Sequence, residues 1–230
     1  MDKLTYGKLL EEFVLFAQED ENIRAVLIVG SRARKEMPAD KWSDLDLVIF
    51  ANNPQSLLVD EKWLLKIAKV HITFLENTAV GGGTERRVLF EEGLDVDFAI
   101  FSVSSLSVLE RKSEVIRVLS KGVRVLIDKD SLTTSILQKS KDENNIDPGL
   151  EAAEVNNLIN DFWYHAVLAS KKIRRGELLD GKSICDSYMK NLLILLVKTQ
   201  TKLKKGADFD TWHGFRFLKN GQILTLFKHL

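Results

Sequence analysis

Two short apolar runs, VLIV at residues 26–29 and LVIF at 47–50, leave the segment between them few ways to fold. The first breaks off at Gly30-Ser31, and the second follows directly on Ser43-Asp44-Leu45-Asp46. The whole stretch therefore reads as buried strand, tight turn, polar excursion and second strand. Gly30 allows the backbone to turn sharply and brings amide groups close to whatever lies there. The Ser-Arg-Ala-Arg-Lys-Glu that follows predicts the opening of a helix, whose unpaired N–H groups attract phosphate. Asp44 and Asp46 are two positions apart, so on a strand both carboxylates project from one face. Like charges so placed repel each other. A divalent cation resolves the conflict, and Mg²⁺ is commonly held by one or two carboxylates together with substrate phosphates. The stretch offers a phosphate cradle at Gly30 and Ser31, with Arg32, Arg34 and Lys35 nearby, and a metal holder at Asp44 and Asp46.

A second acidic pair lies in LDVDFAIF, residues 94–101. Alternation puts Asp95, Asp97 and Ala99 on one face and Val96, Phe98 and Ile100 on the other. The apolar face must pack, so the acids meet a cleft or solvent. Laid beside the strand that carries Asp44 and Asp46, carboxylates on the same side, this strand would bring three or four negative charges together. Such a cluster requires cations.

The remaining pattern supplies the frame. Helical spacing predicts helices over residues 4–18, 56–68, 106–111, 114–120 and 131–139, with Gly122 as a C-terminal cap. Further strands are expected at 24–29, 70–75, 86–90 and 123–127, with 91–93 as a hairpin turn before 94–101. Gly81-Gly82-Gly83 lacks the Lys-Ser/Thr of a P-loop and the spacing of a dinucleotide fingerprint, and reads as a flexible connection. Residues 141–149 are polar and turn-rich, the best boundary in the chain. Beyond them residues 151–175 and 183–198 predict two helices packed as an antiparallel hairpin, with Cys185 in the core and Trp163 in the core or at a domain contact. The expected fold class is α+β, a mixed sheet with helices over residues 1–140, followed by a helical domain over 149–230.

Composition narrows the functional classes. Lys+Arg and Asp+Glu each total 33, so no bulk field favours nucleic acid or an anionic membrane. The first residues lack the apolar core of a secretory signal, and no run approaches the ~18 apolar residues of a membrane span. A single cysteine excludes an intrachain disulfide. The expectation is a cytoplasmic protein with neither nucleic-acid nor membrane partners. The four histidines show no zinc-ligand spacing.

Gly30-Ser31-Arg32-Ala33, then Asp44-x-Asp46, then a third acid on a later strand resembles the nucleotidyltransferases of the DNA polymerase β-like superfamily. The Gly-Ser-Arg-Ala run with Ser43-Asp44-x-Asp46 looks most like the aminoglycoside 6-adenylyltransferase (streptomycin adenylyltransferase) family. The resemblance implies a polymerase β-like nucleotidyltransferase domain followed by a helical bundle that covers the acceptor. Residues 162–163, 171–178, 186–189 and Trp212-His213 look like segments of that bundle. The chain stops at 228–230 in a helix-like pattern, so a shortened or truncated bundle is expected.

The activity implied is Mg²⁺-dependent transfer of AMP from ATP to a hydroxyl of an aminoglycoside-like antibiotic. Asp44, Asp46 and Asp97 would hold two Mg²⁺ ions, with Asp97 helping to deprotonate the hydroxyl. Asp97-Phe98 matches the family's acid before an apolar residue, and Asp95 stands one strand step away as a base or a wet surface acid. Gly30 and Ser31 would hold the β- and γ-phosphates, and Arg32 would add to nucleotide binding. A polycationic acceptor calls for acids, for which Glu85, Glu91, Glu92, Glu177, Asp180 and Asp186 are available. The same chemistry on a lincosamide or a protein, or a nucleotide-binding protein without turnover, are the alternative readings.

Overall fold

The computed structural model describes residues 3–35, 38–142, 149–206 and 209. The chain divides into two compact units, Met1–Asn145 and Ile146–Leu230.

The first unit is built on a six-stranded mixed sheet in the order β3-β4-β5-β2-β1-β6. The strands are β1 (Ile23–Val29), β2 (Leu45–Ala51), β3 (Val70–Asn77), β4 (Thr84–Phe90), β5 (Asp95–Ser102) and β6 (Arg124–Asp128). All neighbours run antiparallel except β2 and β5, which are parallel.

Period-two alternation divides the side chains between two helical layers. Leu45, Leu47 and Ile49 of β2 and Val96, Phe98 and Ile100 of β5 face a core closed by helix α1 (Tyr6–Glu19), α2 (Pro54–Val59) and the 3₁₀ turn Lys62–Lys66. Helix α1 starts at Thr5, whose hydroxyl accepts the Lys8 N–H, and buries Leu9, Phe13 and Ala17 at four-residue spacing. The Phe13 and Trp63 rings meet Phe98 at centroid distances of 5.3 and 5.0 Å. Burying a side chain the size of Phe98 contributes about 2–3 kcal/mol. On the other face Ala25, Leu27, Val29 and Phe50 pack under Leu109 of α3 (Leu106–Leu109), Ile116 and Leu119 of α4 (Ser113–Ser120), and Ile136 of α5 (Thr134–Asp142).

The single helix expected over 56–68 is interrupted. Asp60 is extended and its carboxylate accepts the Lys62 N–H at 3.0 Å, a local bond that competes with the helix. The Leu58 carbonyl is taken by the Arg86 guanidinium and the Leu57 carbonyl by Trp63 Nε1.

In the second unit α6 (Ala152–Arg174) begins with a reciprocal cap between Glu151 and Glu154. It packs against a second helical run made of α7 (Leu178–Ser183), a π-helical turn (Ile184–Met189) and α8 (Lys190–Lys205). A Cβ on Gly181 would lie 2.6 Å from Ile173 Cγ1 and 3.2 Å from the Ala169 carbonyl, so glycine sets how closely α7 approaches α6. Cys185, expected in the core, is half-buried, and Trp163, expected in the core or at a domain contact, is 65% exposed. Most of the expected boundary (143–148), Trp212-His213 and the C-terminal 228–230 lie outside the described residues. No described helix is long and apolar enough to cross a membrane.

Candidate active site

The parallel pairing of β2 with β5 sets Asp46 directly beside Asp97, and the antiparallel pairing of β1 with β2 sets Val29 against Asp46. The Gly30-Ser31 turn therefore begins one residue past the partner of an acid. Oxygens of Asp44, Asp46 and Asp97 all lie within 4.8 Å of one another. Asp46 lies on β2 and Asp44 just before its first residue; Asp97 joins them through the sheet.

Gly30 has φ +65°, and a Cβ there would collide with the Asp46 carboxylate. Only glycine permits both the left-handed turn and that close approach. Ser31 is buried, and its hydroxyl has no hydrogen-bond partner among the described residues. A buried hydroxyl without a partner is costly, and here it sits one residue from the glycine that touches Asp46.

The helix expected after Ser31 does not form. Gly30–Arg32 is one 3₁₀ turn, and the Ser31 carbonyl accepts the Ala39 N–H at 3.2 Å instead of an N–H four residues on. Asp40 then closes the loop. Its carboxylate accepts the Trp42 N–H at 2.9 Å and the Ser43 hydroxyl at 3.0 Å, which delivers the chain to Asp44 in a set path. Any phosphate cradle here is thus a turn rather than a helix terminus. Arg32, expected at the nucleotide, is engaged within the protein. Its Nε donates to the Asp44 carbonyl at 2.8 Å, its Nη2 to the Ser43 carbonyl at 2.5 Å, and its Cζ lies 3.6 Å from the centre of the Tyr6 ring. Arg34 packs its Cγ against Gly122, and Lys35 is exposed.

Burial pushes the Asp46 carboxyl up to about 7, and the charges of Asp44, Asp97 and Glu85 add to the rise. Asp97 is pushed up to about 6, again first by burial, with Arg87 opposing and Glu85, Asp44 and Asp95 adding. These are acids held together against their repulsion, the condition a cation relieves. The donor set fits a hard, oxygen-seeking divalent ion, with three carboxylates and, among the described residues, no competing nitrogen or sulfur in the cluster.

Sequence reasoning did not single out Arg87. It lies opposite Asp97 in the β4–β5 ladder, and its Nη2 is 3.2 Å from Asp97 Oδ2. Its Nε reaches Glu76 at 2.5 Å and Glu85 at 3.1 Å. Alternation on β4 already carried the signal, because Glu85 and Arg87 share the face that Asp97 uses once β4 and β5 pair. Asp95 stands apart from the three acids: its Oδ1 accepts the Tyr6 hydroxyl at 2.8 Å. Of the other acids named for a cationic acceptor, Glu85 borders the cluster. Glu177 and Asp180 bind Lys172, and Asp186 binds Lys182 and Lys190.

Residues 5–221 match the family described as streptomycin adenylyltransferase. Curated relatives include an aminoglycoside 6-adenylyltransferase of Bacillus subtilis (strain 168), 24% identical over 219 residues that cover 92% of this chain and 74% of the relative. The enzyme of that description from Campylobacter jejuni is 25% identical over 213 residues, 89% of this chain and 70% of the relative. A crystal structure of an aminoglycoside 6-adenyltransferase from Bacillus subtilis overlays with a TM-score of 0.40 at 19% identity, covering 98% of this chain and 78% of that one.

Proposed function

The chain belongs to the streptomycin adenylyltransferase family of nucleotidyltransferases, and from that premise we propose that it transfers AMP from ATP to a hydroxyl of an aminoglycoside. The observation that carries the reading is the convergence of Asp44, Asp46 and Asp97 beside the Gly30-Ser31 turn.

In the proposed reaction the acceptor hydroxyl oxygen bonds to the α-phosphorus. The bond from that phosphorus to the bridging oxygen breaks, and pyrophosphate leaves with the electron pair. Positioning and charge stabilisation carry most of the rate in such transfers. Asp44, Asp46 and Asp97 are the residues that would hold a pair of Mg²⁺ ions, which when bound neutralise the triphosphate and acidify the attacking hydroxyl. Gly30 presents its backbone to the phosphates, and the Ser31 hydroxyl, which lacks a hydrogen-bond partner among the described residues, donates to a phosphate oxygen. Asp97 takes the hydroxyl proton. Arg87 keeps part of the negative charge around Asp97 balanced before substrate arrives.

The test is pyrophosphate release by the purified protein with Mg-ATP across streptomycin, other aminoglycosides and lincosamides. Release with an aminoglycoside, lost in Asp46→Asn by roughly a thousandfold or more, is the expected result. Release with a lincosamide alone would keep the chemistry and change the acceptor. Mg-ATP binding without release for any compound would remove the transfer reading.

A further inference from the structure

Asp44 precedes the first paired residue of β2, Leu45, and Asp95 opens β5, whose pairing with β2 begins at Val96. The β2–β5 ladder therefore fixes Asp46 and Asp97 but leaves Asp44 and Asp95 at its open end. A chain of contacts holds both. Arg32 donates to the carbonyls of Ser43 and Asp44, and its guanidinium lies over the Tyr6 ring, 3.6 Å from Cζ to ring centre. The Tyr6 hydroxyl donates to Asp95 Oδ1 at 2.8 Å and accepts the Asp95 N–H at 3.3 Å. The turn after β1, the first residue of α1 and the start of β5 are thus joined through two side chains.

We propose that Tyr6 and Arg32 form a positioning latch, which sets Asp44 against Asp46 and Asp97 and holds the Asp95 carboxylate out of the metal centre. The inference rests on the metal-dependent transfer proposed above and assigns that site a supporting layer. The forked guanidinium is suited to the task because it can grip two carbonyls and stack on a ring at once. The phenol supplies what phenylalanine cannot, a donor for Asp95. Burial, with the Asp95 carboxylate beside it, pushes the Tyr6 hydroxyl up to about 12, which keeps it a donor throughout the working range. The latch also explains why two acids of one strand face, Asp95 and Asp97, have different partners. Asp95 is engaged through Oδ1 from the α1 side, and Asp97 is left to the cluster. Groups that orient metal ligands in this way typically alter metal affinity or activity by about 10–100-fold when removed.

The test compares the 230-residue protein with its Tyr6→Phe, Asp95→Ala, Asp95→Asn, Arg32→Lys and Asp46→Asn variants. Mn²⁺ affinity is read by electron paramagnetic resonance of the free ion, and kcat and KM for ATP are measured with the best acceptor. Tyr6→Phe and Asp95→Ala are each expected to weaken Mn²⁺ binding by about tenfold and to lower kcat similarly, with KM for ATP changed little. Asp95→Asn keeps the acceptor oxygen for the Tyr6 hydroxyl and should largely restore wild-type values. The double variant Tyr6→Phe/Asp95→Ala should be no worse than either single one, since both break the same contact. Arg32→Lys should follow Tyr6→Phe.

Three outcomes overturn the latch. Asp95→Asn as damaging as Asp46→Asn would make Asp95 a ligand. Unchanged Mn²⁺ affinity and kcat in Tyr6→Phe would make the contact incidental. A rise in KM for ATP alone in Arg32→Lys would place Arg32 on the phosphates. Failure of the underlying reading is separately visible, because wild-type protein would then bind no Mn²⁺ that Asp46→Asn abolishes, and the latch would fall with it.

Discussion

Burial raises the carboxyl of Asp46 from the ordinary 3.8 to about 7, and Asp44 and Asp97 push in the same direction. Between those values the folded protein binds a proton that the unfolded chain has released. Stability therefore falls as pH rises from about 4 to 7, and the full cost is present above 7. Asp97, raised to about 6, adds its share over the lower part of that window. Metal-free protein is expected to resist urea better at pH 5 than at pH 8. Asp46→Asn should flatten that dependence and gain about 2 kcal/mol at pH 8, even as it abolishes turnover. Added Mg²⁺ should recover stability in the wild type at pH 8 and little in the variant. Urea titrations at the two pH values, with and without Mg²⁺, read all of this; a wild type more stable at pH 8 without metal would contradict it. The residue proposed to hold the metal is thus one that the metal-free fold tolerates at a cost.

Strand β4 serves two faces at once. Glu85 and Arg87 point to the acids, while Arg86, Val88 and Phe90 point to the core. Arg86 is 2% exposed, and its guanidinium reaches Glu61 and Thr73 at 2.8 and 2.9 Å and the Leu58 carbonyl. It ties the interrupted segment 57–61 to the sheet. Arg86→Met keeps the bulk of the side chain but leaves the Leu58 carbonyl without its donor, and should cost about 3 kcal/mol. Chemical denaturation checks the loss, and kcat of the protein that remains folded should stay near wild type, because the side chain faces away from the acids. Alternation alone would place an arginine at position 86 among apolar neighbours, an assignment that looks wrong until its partners from β3 and the 57–61 segment are in place.

Across the whole molecule, every residue assigned to phosphate, metal or latch lies in the unit Met1–Asn145. That unit has its own core on both faces of the sheet, the usual mark of a segment that folds alone. A chain ending at residue 145 is expected to fold and to bind Mg-ATP with affinity close to the full chain's. It should release no acceptor-dependent pyrophosphate if residues 146–230 complete the acceptor site. Calorimetric titration with Mg-ATP and the release assay separate the two functions, and turnover by the shorter chain would remove the acceptor role from the second unit.

The sequence by itself determined the strands and which acids share a strand face, because alternation and glycine breaks are properties of the local backbone. It located Gly30, Ser31, Asp44 and Asp46 within one turn and one strand end, and placed Asp97 on the acid-bearing face of its own strand. Only the tertiary structure decided that β2 and β5 are parallel neighbours in the register that sets Asp97, and not Asp95, beside Asp46. Register between strands some fifty residues apart depends on the packing of both sheet faces together, and no local period encodes it. The partners of Tyr6 and Arg32 were hidden for the same reason. Each is an ordinary polar residue in its own segment, and acquires its role only where a second element ends against it.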